Sequence, residues 1–123
     1  RNAREINNYK TQWVIEKIKS TALQFELDNN RKPNIALMGL AFKPDIDDLR
    51  ESPALLVADT LLLDGKYNLI LVEPNLEENP KYDLIDYREI NGRADIVAYL
   101  VSHNEFKDLK VECLEIDFCG IKK

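Results

Sequence analysis

The sequence predicts a three-layer α/β domain with a parallel five-stranded sheet, preceded by a long helix. Three observations predict it. Short apolar runs recur along the chain, each near-continuous rather than alternating, as strands covered on both faces require. Segments with helical spacing or helix caps separate those runs, the pattern of βαβ units. Turn-forming residues punctuate nearly every junction.

The opening segment, Arg1 to Asp28, reads as one helix. Ile6, Tyr9, Trp13, Val14, Ile18, Ala22 and Phe25 recur at steps of three and four, and no Gly or Pro interrupts them. Such a helix would be about 40 Å long. It serves either as a core-packing helix or as a connector from a preceding domain with one face in a subunit contact. Asn29-Asn30-Arg31-Lys32-Pro33 ends it. Asn34 to Met38 is the first strand. Ser52-Pro53 starts a helix, with Ser as cap and Pro at the first helical position. Asp64-Gly65 stops it, with Gly placed to end the helix. Tyr67 to Val72 is the second strand, closed by Pro74. A weak third strand lies near Asp83 to Ile85, and a short helical turn near Arg88 to Arg93. Asp95 to Val101 is a strong fourth strand, Asn104 to Leu109 a short helix, and Cys113 to Phe118 a fifth strand. Right-handed crossovers give these strands the half-Rossmann order 3-2-1-4-5, with the first strand central and helices on both faces.

The length of 123 residues suits one core, with 45% apolar and 32% charged residues. A net charge of −5 argues against a general nucleic-acid or membrane-surface binder, which needs a basic face. No apolar run approaches the roughly 20 residues of a membrane span, and the polar start resembles no signal peptide. The missing initiator Met and the start inside a helical pattern suggest an excised piece of a longer protein. Cys113 and Cys119 have no partner His cluster, form no zinc site, and fit a reducing cytoplasm.

Open parallel sheets bind ligands beyond the carboxyl ends of their strands. The loop after the first strand, Gly39 to Pro53, reads GLAFKPDIDDLRESP and is long for a strand-to-helix connection. It has one Gly where a dinucleotide fingerprint has three. Phe42 offers an aromatic face and Lys43 a mobile cation, which together suit a planar anionic ligand such as a nucleotide. The same pair also fits a core aromatic beside a solvated lysine. Asp45, Asp47 and Asp48 read as turn and cap residues rather than a metal site, for which converging oxygens are lacking. Arg50 and Glu51 read as local braces of the loop. Glu73 stands where dinucleotide folds place a ribose-binding acid, but without upstream phosphate-binding glycines. His103, the only histidine, follows a strand end without an identifiable catalytic partner. It reads as a partly exposed residue beside the helix caps Ser102 and Asn104.

The run Gly39 to Pro53 resembles a signature of the UDP-glucose/GDP-mannose dehydrogenase family, at the start of its carboxyl-terminal domain. Ala3 to Asn7, Trp13-Val14-Ile15, Val72-Glu73-Pro74, Ala94 to Phe106 and Asp117 to Gly120 extend the resemblance over nearly the whole chain. It is most similar to the UDP-N-acetyl-D-mannosamine dehydrogenase branch, which serves surface polysaccharide synthesis. The resemblance implies residues 1–30 as the end of a central helical, dimer-building region and residues 31–123 as a UDP-sugar-binding domain. It implies a cytoplasmic, homodimeric parent enzyme that oxidises a sugar C6 alcohol in two NAD-dependent steps. NAD and the catalytic cysteine would belong to the absent amino-terminal and central parts, so this piece would neither bind NAD nor turn over alone.

Residue by residue, the resemblance places Phe42 and Lys43 in the nucleotide-sugar site and gives Arg50, Glu51 and Ser52 the support of the loop. Cys119 departs from the pattern, since relatives commonly carry Lys or Arg there, and Lys122 is a candidate substitute. Asn8 stands where relatives often have Asp. A parent acting on UDP-N-acetylglucosamine or UDP-glucose is an alternative within the family. Outside it stand a signalling receiver module, with Asp86 as phosphoryl acceptor but no clear Lys partner, and a purely structural dimerisation module.

Overall fold

In the computed structural model the described residues are 3–40, 53–74 and 84–119, with side chains described from residue 11 onward. Four strands form one parallel sheet: β1 (Asn34–Met38), β2 (Asn68–Val72), β3 (Ile96–Tyr99) and β4 (Leu114–Asp117), in the order β2-β1-β3-β4. Helix α1 spans Ala3–Asn29 and helix α2 spans Pro53–Asp64.

The five-stranded expectation is corrected to four. Among the described residues, the segment expected as a third strand makes a single parallel bridge, Leu84 to Leu71, on the free side of β2. That is the edge the order 3-2-1-4-5 assigns to it. Beyond Ile85 it grows no further because Asp86 turns the chain: its carboxylate accepts the Arg88 N–H at 2.9 Å and starts a 3₁₀ turn at Tyr87–Glu89. A side chain that bonds its own nearby backbone competes with the sheet ladder.

Side chains alternate across β1, so its residues serve two cores. Ile35 and Leu37 face α1 and α2 with Leu71, Ile96 and Ala98, and meet Val14, Ile15, Ile18, Ala22, Val57 and Leu61. Ala36 and Met38 face the other way with Val72, Val97 and Tyr99, and meet Ile90, Ala94 and Phe106. Both α-helices of the described residues lie over the first face. Among the described residues the second face is covered by short 3₁₀ helices, Tyr87–Glu89 and Asn104–Phe106, where the sequence predicted short helices near Arg88 to Arg93 and Asn104 to Leu109. Bulky Ile90 and Phe106, 1% and 0% exposed, supply there the apolar cover that a helix would otherwise provide.

Helix α1 is a working part of the core through Val14, Ile15, Ile18 and Ala22. Trp13, one of the residues at helical spacing, is 56% exposed, with its ring edge-on to Phe118 at 5.7 Å. The helix ends where the sequence places its end. Asn30 takes φ of 56° and returns its N–H to the Glu26 carbonyl, a left-handed cap that Asn tolerates. Gly65, with φ of 68°, closes α2 in the same way.

The amino edge is fixed by Asp95, immediately before β3. It accepts two hydrogen bonds from the Arg31 guanidinium at 2.8 and 2.9 Å and a third from the Asn34 N–H at 2.8 Å. The Arg31 bonds first, and the Asn34 N–H after them, hold its carboxyl below the usual aspartate range against the opposing effect of burial. A lowered folded pKa means stability that is fully present above the unfolded value, about 3.9, and lost as pH falls through the folded one. Asp95→Ala, which leaves the Asn34 N–H unpaired, is expected to cost about 1–3 kcal/mol at pH 7. The gap between variant and wild-type melting temperatures should close toward pH 2. A gap that stays constant with pH would show that the charge of Asp95 contributes nothing.

Candidate functional site

The chain leaves β1 toward β2 on one side and later returns to β3 on the other, which makes the carboxyl ends of β1 and β3 the switch point where such sheets bind ligands. The segments that meet there are Gly39-Leu40 after β1, Glu73 after β2, Leu100 to His103 after β3, and Phe118-Cys119 after β4.

Gly39 lets the exits of β1 and β3 touch. Its φ is +99°, and a Cβ at this position would lie 2.7 Å from Val101 Cβ and 3.1 Å from the Val101 nitrogen. No side chain fits that space, and an L residue is strained at that φ. The Gly39 N–H donates to the Val72 carbonyl at 2.8 Å, while the Met38 carbonyl accepts from Leu100 N at 3.0 Å. The exit of β1 is thus held from both sides.

The next residue is held by a side chain. Leu40 N donates to Glu73 Oε1 at 2.8 Å, and His103 Nε2 lies 3.0 Å from the same oxygen. Both side chains of the Glu73–His103 pair have no solvent exposure. Beside an ionised Glu73, which only accepts, His103 Nε2 is the donor. Its ring packs edge-on to Phe106 at 5.6 Å. The position of His103 corrects an expectation. His103 is buried rather than partly exposed: it occupies the N-cap position of the Asn104–Phe106 turn, with no side-chain cap bond. Glu73 faces inward onto Leu40 and His103 rather than outward toward a ribose. The signals for this pair were present as an acid closing one apolar strand and a lone His closing another. Their meeting depends on the crossover that makes β2 and β3 both neighbours of β1.

Two clefts flank this centre. One, of about 380 Å³, lies between α1, the start of α2 and the exits of β3 and β4, lined by Thr11, Val14, Pro53, Ala54, Leu100 and Phe118 among others. Its wall is mainly apolar, and Pro53 is one root of the Gly39–Pro53 loop. The other, of about 460 Å³, lies beyond β2 and is lined by Glu73, Asp86, Arg88 and Glu105 with apolar neighbours. Arg88 is already engaged by Asp86, whose carboxyl its bonds hold down to about 2. Acidic groups therefore dominate that cleft and disfavour a phosphate. Among the described residues no group of His, Cys, Asp or Glu could hold a metal, and no helix is long and apolar enough to cross a membrane.

Phe42, Lys43, Arg50, Glu51 and Ser52 lie outside the described residues, as do Asp45, Asp47, Asp48 and Lys122. The structure gives the two roots of their loop, Leu40 and Pro53, both at the carboxyl edge. Cys119 is described: its N–H and thiol both approach Asp117 Oδ1, at 3.3 and 3.7 Å, so the thiol is engaged locally. Burial first, then the charge of Glu115, pushes the Cys113 thiol up.

Comparison with known proteins decides among the readings. Residues 36–117 match the UDP-binding domain of the UDP-glucose/GDP-mannose dehydrogenase family. The chain belongs to that family. Family membership removes the receiver reading, and the Asp86 it needed is tied to Arg88. A UDP-N-acetyl-D-mannosamine dehydrogenase of Campylobacter jejuni is 37% identical over 97% of this chain, which spans 30% of that relative's length. An NDP-N-acetyl-D-galactosaminuronic acid dehydrogenase of Ralstonia nicotianae is 36% identical over 94% of the chain, which spans 27% of its length. The structure of a UDP-N-acetyl-mannosamine dehydrogenase from Staphylococcus aureus superposes with a TM-score of 0.75 at 23% identity, covering 96% of this chain and 32% of that one. That structural likeness establishes the family's fold for the chain.

Gly39→Ala is expected to destabilise the domain by roughly 1–3 kcal/mol, from backbone strain and the contact with Val101. Adding Val101→Ala should recover part of the loss, read as a favourable coupling in a double-mutant cycle of melting free energies. Strict additivity would mean that the close approach of the two exits does not matter.

Proposed function

We propose that the chain is the nucleotide-sugar-binding domain of an NAD-dependent UDP-sugar 6-dehydrogenase, acting on UDP-N-acetyl-D-mannosamine to give its uronic acid for surface polysaccharides. The observation that carries the reading is that the signature run Gly39 to Pro53 has both its roots at the β1/β3 switch point, next to a mainly apolar cleft. In this reading residues 31–123 form the binding domain and residues 1–30 the end of a central helical region. The parent enzyme is cytoplasmic. UDP-glucose and UDP-N-acetylglucosamine are the alternative substrates, separated by sugar contacts that lie elsewhere in the parent.

Phe42 stacks on the ligand and Lys43 places an ammonium against it, while Arg50, Glu51 and Ser52 brace the loop. The hydride chemistry belongs to NAD on the amino-terminal domain, with the catalytic cysteine, so this chain binds and orients the substrate but neither holds NAD nor oxidises it. A dimer of the parent is supported by the outward side of α1, where Trp13, Leu23 and Leu27 are 56%, 58% and 71% exposed. Large apolar residues along one helix side favour a partner surface over water.

In the complete enzyme, Lys43→Ala is expected to weaken UDP-sugar binding roughly ten- to a hundredfold, the value of one lost charge-assisted hydrogen bond. NAD affinity should stay unchanged. Lys43→Arg should rescue partly, since a planar fork replaces a compact ammonium. Calorimetric titration of both ligands reads the result. Equal losses for both would indicate a folding defect, and no loss for either would leave Lys43 a solvated surface charge.

A further inference from the structure

Three strand exits converge on one carboxylate oxygen. Glu73 Oε1, at the end of β2, accepts the Leu40 N–H from the exit of β1 at 2.8 Å and faces His103 Nε2, from the exit of β3, at 3.0 Å. The arrangement has a cost. Both side chains are removed from water, and desolvating a carboxylate is unfavourable unless its bonds repay it. Apolar residues of similar volume would fill the same space without that penalty but would leave the Leu40 N–H unpaired. What the acid adds is a fixed direction for the backbone at Leu40. Gly39 cannot supply that fixity, because a glycine permits more backbone conformations than any other residue. Leu40 itself is fully buried, and Phe42 and Lys43 follow it by two and three residues.

We propose that Glu73 and His103 are a buried positioning pair that sets the root of the β1 loop, and through it the placement of Phe42 and Lys43 for the nucleotide. Glu73 supplies the acceptor for Leu40, and His103 orients the carboxylate from the far side. Neither touches the ligand. The proposal rests on the reading that this loop carries the UDP contact. It adds to that reading the residues that hold the loop in register, contributed by the two strands flanking β1.

The test is calorimetric titration of the 123-residue chain with UDP, alongside melting curves. Glu73→Leu, which removes the acceptor, should weaken UDP binding roughly tenfold or more, as displaced binding groups do. Glu73→Gln, which keeps an acceptor oxygen for Leu40 and His103, should bind within about threefold of the wild type. Asp95→Ala, which removes a comparable carboxylate from the amino edge, should melt earlier yet bind UDP like the wild type. Should Glu73→Leu fail to fold, Glu73→Asp takes its place: it keeps the charge, falls one methylene short of Leu40, and should also lose roughly tenfold. Wild-type affinity in the folded Leu or Asp variant overturns the positioning role and leaves the proposed function standing. So does a Gln variant that melts normally but binds no better than Leu. Absence of UDP binding by the wild-type chain overturns the proposed function, and this proposal with it.

Discussion

The structure depends on how β1 is held. It lies between β2 and β3 with two helices over one face, and four of its five residues are buried. A strand so placed must satisfy its backbone without water, including the groups beyond its ends where the ladder stops. Carboxylates from its two neighbours do this. Asp95, from the β3 side, accepts the Asn34 N–H at the entry, and Glu73, from the β2 side, accepts the Leu40 N–H at the exit. The two clamps differ in kind. Asp95 is paired with an Arg31 side chain that is 56% exposed, while Glu73 is paired with a fully buried His103. The amino edge therefore has a solvent-screened tie, and the carboxyl edge a rigid, dry one.

That asymmetry matches the division of labour across the sheet. The carboxyl edge carries the switch point and the roots of the long loop, the edge at which open parallel sheets bind ligands. Charge then separates the two clefts beside it. The cleft beyond β2 gathers Asp86 and Glu105 around an Arg88 that is already paired, whereas the cleft toward β3 and β4 is mainly apolar, next to Pro53. On the far edge, β4 is tied in by Tyr99, which is fully buried and donates to Glu115 at 2.6 Å. Burial first and that bond second push the phenol far up, so it stays a donor at any physiological pH. The acidic side chains of β4, Glu115 and Asp117, also discourage further strand pairing at an open edge.

Local chemistry was legible in the sequence wherever it acted alone. β1 runs over Asn34–Met38, as its apolar run predicts. Asn30 and Gly65 end their helices through a left-handed backbone, as residue type predicts. Alternation across β1 divides its side chains between two cores because the strand period leaves no alternative. The failures come where distant segments decide. Asp83 to Ile85 has strand composition, but beyond the Leu84 bridge Asp86 bends the chain away from the ladder. Trp13 shares the helical spacing of Val14, Ile18 and Ala22, and the spacing alone left open that its ring packs on Phe118 and stays open to solvent. His103 and Glu73 each appear unremarkable in isolation, and only the parallel order that brings β2 and β3 to opposite sides of β1 joins them. The carboxyl edge was predicted as the place for a ligand, and the roots of the long loop lie there. The loop residues named for contact and support fall outside the described structure, and their roles rest on the family signature.

On the proposed function, a uridine nucleotide binds at the carboxyl edge, between the exits of β1 and β3. Titrating the isotopically labelled chain with UDP and following backbone amide signals tests it most directly. The account predicts that shifts concentrate at Gly39, Leu40 and Leu100 to His103. Asn34 and Asp95, at the opposite edge of the same strands, and Arg88 in the acidic cleft should stay still. Shifts centred on the amino edge or on the acidic cleft, or none at saturating UDP, would contradict it.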